Sequence, residues 1–270
     1  MVWEREGPSS PMSIPVKPLI LLSNDDGVGA PGLAALAEAL ADLAQVLIAA
    51  PDRERSAAAH SISLDRPLRV ERVEASAWAI DGTPVDCVYL ALHHLVPRKP
   101  DLCLSGINNG FNLGSDVFYS GTVGAAIEAA LRGVPALALS LERQSPQDYR
   151  HAAAFSAELV RDLLGRGPGA LEPNTLLNVN FPAGPVRGIR PTILGHRIYR
   201  DQVAVRRDLR GKDYYWIGGP EEKGPDIPGS DITAIGDGLV SVTALGLDLT
   251  HRPTLERMAA WWPSGRLQDS

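Results

Sequence analysis

Cysteine is scarce in this chain. The 270 residues hold two, Cys87 and Cys103, both in apolar surroundings and without C-x-x-C spacing. That excludes a disulfide framework and a thiolate zinc site, and reads as two buried, reduced thiols of a cytoplasmic protein. Basic charge is in deficit: 26 Lys and Arg stand against 32 Asp and Glu, for a net charge of -6. The basic face that would bind a nucleic-acid polymer is therefore missing. Long apolar runs are missing too. None approaches the ~20 residues of a membrane span, so no membrane partner is expected. Residues 1–17 lack the apolar stretch of a signal peptide and read as a disordered tail. There is no internal repeat and no low-complexity segment.

What the chain has is apolar residues, 44% of it, in an alternating order of short runs. Residues 17–22, 45–49, 102–104 and 136–139 read as buried strands. Between and after them, residues 31–43, 83–95, 122–132 and 148–164 read as helices. Short strands are also expected at 68–70 and 77–80. The alternation predicts an α/β fold whose mainly parallel sheet is covered on both faces. After a further strand at 176–180 the pattern changes. Residues 188–219 read as a β-hairpin turning at Arg210-Gly211-Lys212, with Tyr214-Tyr215-Trp216 on one arm. A hairpin cannot bury itself easily, so this one is expected to reach a partner subunit. A last strand at 239–242 and a short helix at 254–262 complete the chain. The expected division is a tail at 1–17, one domain over 18–250, and a C-terminal helix and tail over 251–270.

The chemistry starts at Asn24-Asp25-Asp26-Gly27, directly after the run Leu19-Ile20-Leu21-Leu22. Adjacent carboxylates raise each other's pKa unless a cation holds both ionised. At the carboxyl end of a strand in an open α/β sheet, such a cation would sit where ligands bind. The same residues could also form a plain turn with a helix cap.

The next residues offer a rival. Gly27-Val28-Gly29-Ala30-Pro31-Gly32 fits G-x-G-x-x-G between a strand and a helix, and Asp52 follows 20 residues later. That is a dinucleotide fingerprint in context, which would make the chain an NAD(P)-binding oxidoreductase. Asp25 and Asp26 argue against it, since two carboxylates at the helix mouth would repel a pyrophosphate by several kcal/mol.

Other polar stretches also fall where strands end. Ser56 closes Pro51-Asp52-Arg53-Glu54-Arg55, and Asn108 lies in Ser105-Gly106-Ile107-Asn108-Asn109-Gly110. In a parallel sheet the strand carboxyl ends share one edge, so Asp25, Asp26, Ser56 and Asn108 can converge. All four offer oxygen, which selects a hard cation such as Mg²⁺ or Mn²⁺. Ser120-Gly121-Thr122 precedes a helix and offers hydroxyls and backbone N–H groups to an anion such as phosphate. A hard cation beside an anion site implies metal-assisted phosphoryl hydrolysis. The bland readings stay beside these. Asn108 could be a turn residue, and Ser56, Ser120 and Thr122 could be helix caps. His60 could protonate a leaving oxygen or be an exposed loop histidine. Asp52 is expected to organise its arginine-rich loop, and Asp86 to start a helix.

Taken together, Leu22-Ser23-Asn24-Asp25-Asp26-Gly27, Ala50-Pro51-Asp52-Arg53 with Arg55-Ser56, Gly82-Thr83-Pro84 with Asp86-Cys87-Val88, Ser105-Gly106-Ile107-Asn108 with Asn112-Leu113-Gly114, and Tyr119-Ser120-Gly121-Thr122 resemble the SurE family of stationary-phase survival proteins. The resemblance extends through Leu177-Asn178-Val179-Asn180 and Gly229-Ser230-Asp231 to about residue 250. It implies a Rossmann-like three-layer core, a protruding hairpin, and a C-terminal segment exchanged within a homodimer or homotetramer. It implies hydrolysis of nucleoside 5′- or 3′-monophosphates, with polyphosphate as a side substrate. The implied site has one divalent ion per subunit on Asp25, Asp26, Ser56 and Asn108, with Asp25, Asp26 and Asn108 catalytic. Phosphate would be held by Ser120, Gly121 and Thr122, with Asn112 and His60 nearby. A nucleotide sensor without turnover is the remaining alternative. One departure stands out: Ala57 occupies a position where the family usually has Gly.

Overall fold

The computed structural model describes residues 17–144, 147–167, 169–199, 202–218, 221–222 and 224–262. The expected N-terminal tail, apart from Lys17, and the end of the C-terminal tail lie outside the described residues.

Alternation along the buried strands sets up two cores. In β1 (Leu19–Ser23), Ile20 and Leu22 point to one face of the sheet and Leu21 to the other. In β5 (Leu102–Asn109), Leu104 and Cys103 divide in the same way. Successive side chains of a strand point to opposite faces, so a strand covered on both sides must be apolar at every position. On one face lie α1 (Pro31–Leu40) and α4 (Arg150–Arg166), packed against each other. On the other lie α2 (Pro84–Leu90) and α3 (Gly121–Leu131). This is the expected three-layer α/β arrangement. Both cysteines sit in the second core, and burial pushes the Cys103 thiol up to about 12.

The central sheet is completed by β2 (Gln45–Pro51), β3 (Val70–Glu74), β4 (Ala77–Ile80), β6 (Ala136–Leu141), β7 (Thr175–Phe181), β8 (Ile189–Thr192) and β13 (Val240–Gly246). Its order is β3-β4-β2-β1-β5-β6-β7-β13-β8. The run from β4 to β7 is parallel, whereas β3 and β13 pair antiparallel with their neighbours β4 and β7. The chain leaves β1 for β2 on one side and reaches β5 on the other. The order therefore reverses between β1 and β5, which is where an open α/β sheet opens a crevice at its carboxyl edge.

Several elements differ from expectation. The helix expected at 83–95 ends its α form at Leu90 and continues as one π-helical turn over Ala91–Leu95. Strand β3 starts at Val70 and is exposed along its whole length, as an edge strand with no apolar alternation to mark it. The 3₁₀ turn Gly114–Phe118 and the short helix α5 (Asp231–Gly236) have no sequence periodicity of their own. Strands β10 (Gln202–Arg207) and β11 (Asp213–Gly218) pair antiparallel as a separate two-stranded sheet. The turn between them includes Arg210-Gly211-Lys212. Two short strands, β9 (Ile198–Tyr199) and β12 (Glu221–Glu222), pair at its base. A last helix, α6, spans Arg252–Trp261. Among the described residues no helix is long and apolar enough to cross a membrane.

Candidate functional site

Asp25 and Asp26 follow β1 at the switch point. Asn24 shapes the turn: its Nδ2 donates to the Gly27 carbonyl at 2.9 Å and its Oδ1 accepts the Gly27 N–H at 3.2 Å. Gly27 has φ +101°, a left-handed geometry that favours glycine, and a Cβ there would lie 3.2 Å from the Arg53 backbone. The turn thereby throws the two carboxylates into different surroundings.

Asp25 is 5% exposed. Its Oδ1 accepts from the Thr122 hydroxyl, at the start of α3. Gly121 makes this approach possible, because a Cβ there would stand 2.9 Å from the Asp25 Cβ. Burial raises the Asp25 pKa above the usual carboxylate range, opposed first by the Thr122 hydrogen bond. Asp26 is less enclosed. Burial and then the Asp25 charge lift it from 3.8 to about 6, against the Asn109 N–H, which donates to Asp26 Oδ2 at 3.4 Å, and Arg143. Glu54 adds repulsion to both. The pair is thus a concentrated negative charge in a place that resists it, which is what a bound cation relieves.

The donor chemistry fits a hard divalent ion. Among the described residues no group of three or more His, Cys, Asp and Glu could hold a metal. A cation here would rest on two carboxylates and be completed by neutral oxygens. Ser56, expected to offer one, is on the loop after β2. The Arg55 N–H donates to the Asp25 carbonyl at 2.7 Å, which ties this loop to the pair. Ser56 itself is exposed, and its Oγ donates to Glu54 Oε1 at 2.6 Å. Asn108 is near the end of β5, just past the irregularity in its pairing with β6. Its Nδ2 donates to the Gly110 carbonyl at 2.9 Å. That uses the nitrogen arm of the amide; ligation would use the oxygen arm.

The remaining expected residues have clear partners. Ser120 is the N-cap of α3, its Oγ accepting the Val123 N–H at 3.1 Å. With Thr122 bonded to Asp25, both hydroxyls of this loop are engaged, and the loop stands directly on the carboxylate. Asn112 is held by β6 and β7. Its N–H donates to Asn180 Oδ1 at 2.8 Å, its Nδ2 to Ser140 Oγ at 2.7 Å, and its carbonyl accepts from Asn178 and Asn180. Its described bonds anchor the loop after β5 and do not reach the carboxylates. His60 lies over α3, where Gly124 leaves room for the Ala59 carbonyl. Its Nε2 is 3.1 Å from Glu128 Oε2, and Glu128 Oε1 accepts from Arg132 at 2.8 Å. Asp52 pairs with Arg53 and Arg55, as expected of a loop organiser. Asp86 does more than start α2. It completes a capping box with Thr83 and accepts from the Ser63 N–H and hydroxyl at 2.8 and 2.7 Å, pinning the far end of the Ser56 loop.

Sequence reasoning gave no role to four contributors. Asn109 touches Asp26 through its backbone and holds a buried side-chain oxygen without a partner. Tyr149 is buried beside Asp26 and packs on Gly32, where a Cβ would be 2.9 Å from its ring and 2.1 Å from the Ile107 carbonyl. Arg143 reaches the Asn109 carbonyl at 3.1 Å. Asp231, fully buried, accepts from the N–H groups of Gly114, Gly195 and Ile232 at 2.8, 2.7 and 2.9 Å. It ties the loop after β5 to the second half of the chain. Asn109 carried a signal as the neighbour of Asn108, and Asp231 as the end of the Gly229-Ser230-Asp231 motif; Arg143 and Tyr149 carried none.

A family model described as Survival protein SurE matches residues 20–201. A 5′-nucleotidase SurE of Anaeromyxobacter sp. (strain Fw109-5) is 51% identical over 251 residues, covering 91% of this chain and 96% of that one. The chain belongs to the SurE family. A second relative, the 5′-nucleotidase SurE of Geobacter sulfurreducens, is 48% identical over 246 residues, covering 90% of this chain and 93% of its own. The crystal structure of the SurE protein from Aquifex aeolicus has the same fold, with a TM-score of 0.80 at 38% identity over 90% of this chain and 99% of that one. In this SurE chain the glycine string does work other than cradling a dinucleotide. Gly27 makes the turn, and Gly32 lets α1 approach β5 and Tyr149.

Proposed function

We propose that this chain is a 5′-nucleotidase that hydrolyses nucleoside monophosphates with the help of one divalent cation, Mg²⁺ or Mn²⁺, per subunit. The observation that carries the reading is the Asp25–Asp26 pair at the switch point, two carboxylates pushed above their usual range in an all-oxygen setting. Names borne by relatives of about 50% identity over nine-tenths of the chain support the substrate class.

Asp25 and Asp26 would hold the ion, helped by the Ser56 hydroxyl and the Asn108 amide oxygen. When bound, such an ion polarises a phosphoryl oxygen and acidifies a water. Thr122 fixes the Asp25 carboxylate through its hydroxyl, so the residue presents one oxygen in a set direction. The backbone N–H groups at the start of α3 favour negative charge at this point, which suits a phosphate drawn to the pair. Asn112, Asp86 and Asp231 hold the loops from which the site is built. Direct attack by water predicts no covalent phosphoenzyme. The same site would accept 3′-monophosphates or the end of a polyphosphate only if the leaving group fits. Tyr215, Trp216 and Ile217 on the β10–β11 hairpin are exposed and suit contact with a second copy of the chain.

The test is release of inorganic phosphate from AMP by purified protein with Mn²⁺ or Mg²⁺, and its loss in EDTA. Turnover that continues in EDTA would remove the cation from the mechanism. A trapped phosphoaspartate would replace direct attack by a covalent route.

A further inference from the structure

Helix α3 carries a second carboxylate that the chemistry of the Asp25–Asp26 pair does not use. Thr122, in its first turn, bonds Asp25. Six residues on, Glu128 is only 3% exposed. A buried carboxylate is costly unless it is paired and hydrogen-bonded. Glu128 has a partner for each oxygen. Oε1 accepts from Arg132 Nε at 2.8 Å, and Oε2 is 3.1 Å from His60 Nε2. Arg132 is the C-cap of the same helix, and its guanidinium lies 4.8 Å from the centre of the Tyr89 ring. His60 comes from elsewhere, from the loop after β2.

That loop also carries Ser56, four residues before His60. The backbone between them is unusual. Ala57 and Ala59 have φ of +58° and +51°, a left-handed geometry that an alanine adopts at a cost of about 1–2 kcal/mol. Such backbone persists only where its surroundings hold it. Here the surroundings are α3 and the turn before it. The Ala59 N–H donates to the Tyr119 carbonyl at 3.1 Å. Gly124 admits the Ala59 carbonyl, which a Cβ would meet at 2.4 Å. The His60–Glu128 contact adds a side-chain hold at the next residue.

We propose that Glu128 is a positioning residue: through His60 it clamps this loop onto α3 and so sets Ser56 relative to Asp25, which the same helix fixes through Thr122. The proposal rests on the nucleotidase reading, with Ser56 among the groups that would hold the cation.

The test reads Mn²⁺ binding to the purified protein from the EPR signal of the free ion, and amide hydrogen exchange in metal-free protein. Glu128→Ala cuts the clamp. It is expected to weaken Mn²⁺ binding at least fivefold and to speed exchange of the Ala59 amide at least tenfold. Mn²⁺ affinity within twofold of wild type, or unchanged Ala59 exchange, would overturn the proposal. Ser56→Ala removes the hydroxyl that the clamp positions. In that background Glu128→Ala should change Mn²⁺ binding less than twofold, because interacting positions are not additive. The same fivefold loss in both backgrounds would mean that Glu128 does not act through Ser56, and would also overturn it. If Glu128→Ala does not fold, His60→Ala makes the same cut from the partly exposed side and carries the same expectations. His60→Gln, whose amide can still donate to Glu128, should restore binding to within twofold. If the clamp variants weaken Mn²⁺ binding but wild-type protein hydrolyses no nucleoside monophosphate, the nucleotidase reading fails and the clamp stands.

Discussion

Asp26→Asn should stabilise the metal-free protein while removing its activity. Burial and the neighbouring Asp25 charge lift the Asp26 carboxyl from 3.8 to about 6. The sign follows from proton linkage. A carboxyl whose folded pKa is raised holds its proton more tightly in the folded state than in the unfolded one. Its contribution favours folding below about pH 4, is lost as pH rises from 4 to 6, and leaves a full penalty above that. At 1.36 kcal/mol per factor of ten, the penalty at neutral pH is about 3 kcal/mol as an upper bound. Asp26 is partly exposed, so solvent screening reduces it to about 1–2 kcal/mol. Asn has nearly the same shape and no charge. In EDTA at pH 7.5 the variant should melt about 2–8 °C higher than wild type, using ~2–4 °C per kcal/mol for a chain near this size. The difference should shrink towards zero by pH 4. Saturating Mn²⁺ should reverse the order, because a ligand that binds only the folded state adds about 2.7 kcal/mol at 100 times its Kd, and the variant has lost a carboxylate ligand. Thermal melts across pH 4–8, with EDTA or Mn²⁺, read all of this. An Asp26→Asn protein no more stable than wild type in EDTA at pH 7.5, or a gap that does not narrow on acidification, would refute the account of this pair.

Other outcomes follow from the same geometry. Asp25→Asn should lower kcat for AMP by several orders of magnitude, as measured by phosphate release; near-wild-type rates would take Asp25 out of the mechanism. Asp231→Ala leaves one buried and two part-buried N–H groups without their acceptor and should cost about 2–4 kcal/mol in urea unfolding, with a loss below 1 kcal/mol counting against its role as a staple. Ala57 has φ +58°, so Ala57→Gly relieves a left-handed alanine and should stabilise the protein by about 0.5–1 kcal/mol, a gain that calorimetry would show or deny.

Much of the fold was legible because buried parallel strands and their helices carry strong periodic signals. β1, β2, β5, β6 and β7 appear as apolar runs, and α1, α3 and α4 lie within a few residues of where the pattern puts them. The exposed edge strand β3 and the short helix α5 were not legible, since neither has a buried stripe to set a period. In the site, Asp25 and Asp26 could be singled out because ionised neighbours after a buried strand need an explanation. Tyr149 could not, because its importance is purely spatial. Tyr149 lies more than 100 positions from Asp26 and meets it only because the start of α4 packs against α1. Ala57 was marked by its departure from a glycine position, and its left-handed backbone shows what that glycine would have served.

The sequence alone determined that this is an α/β protein with an oxygen-rich acidic site, and its motifs carried the family. Periodicity and the cost of unpaired charge are local properties, so they can be read without coordinates. Only the tertiary structure decided where the charge goes. It placed Thr122 on Asp25 and Asn109 on Asp26, and turned His60 towards Glu128. Those outcomes depend on which strand lies beside which and how closely the backbones approach, and no local pattern encodes that.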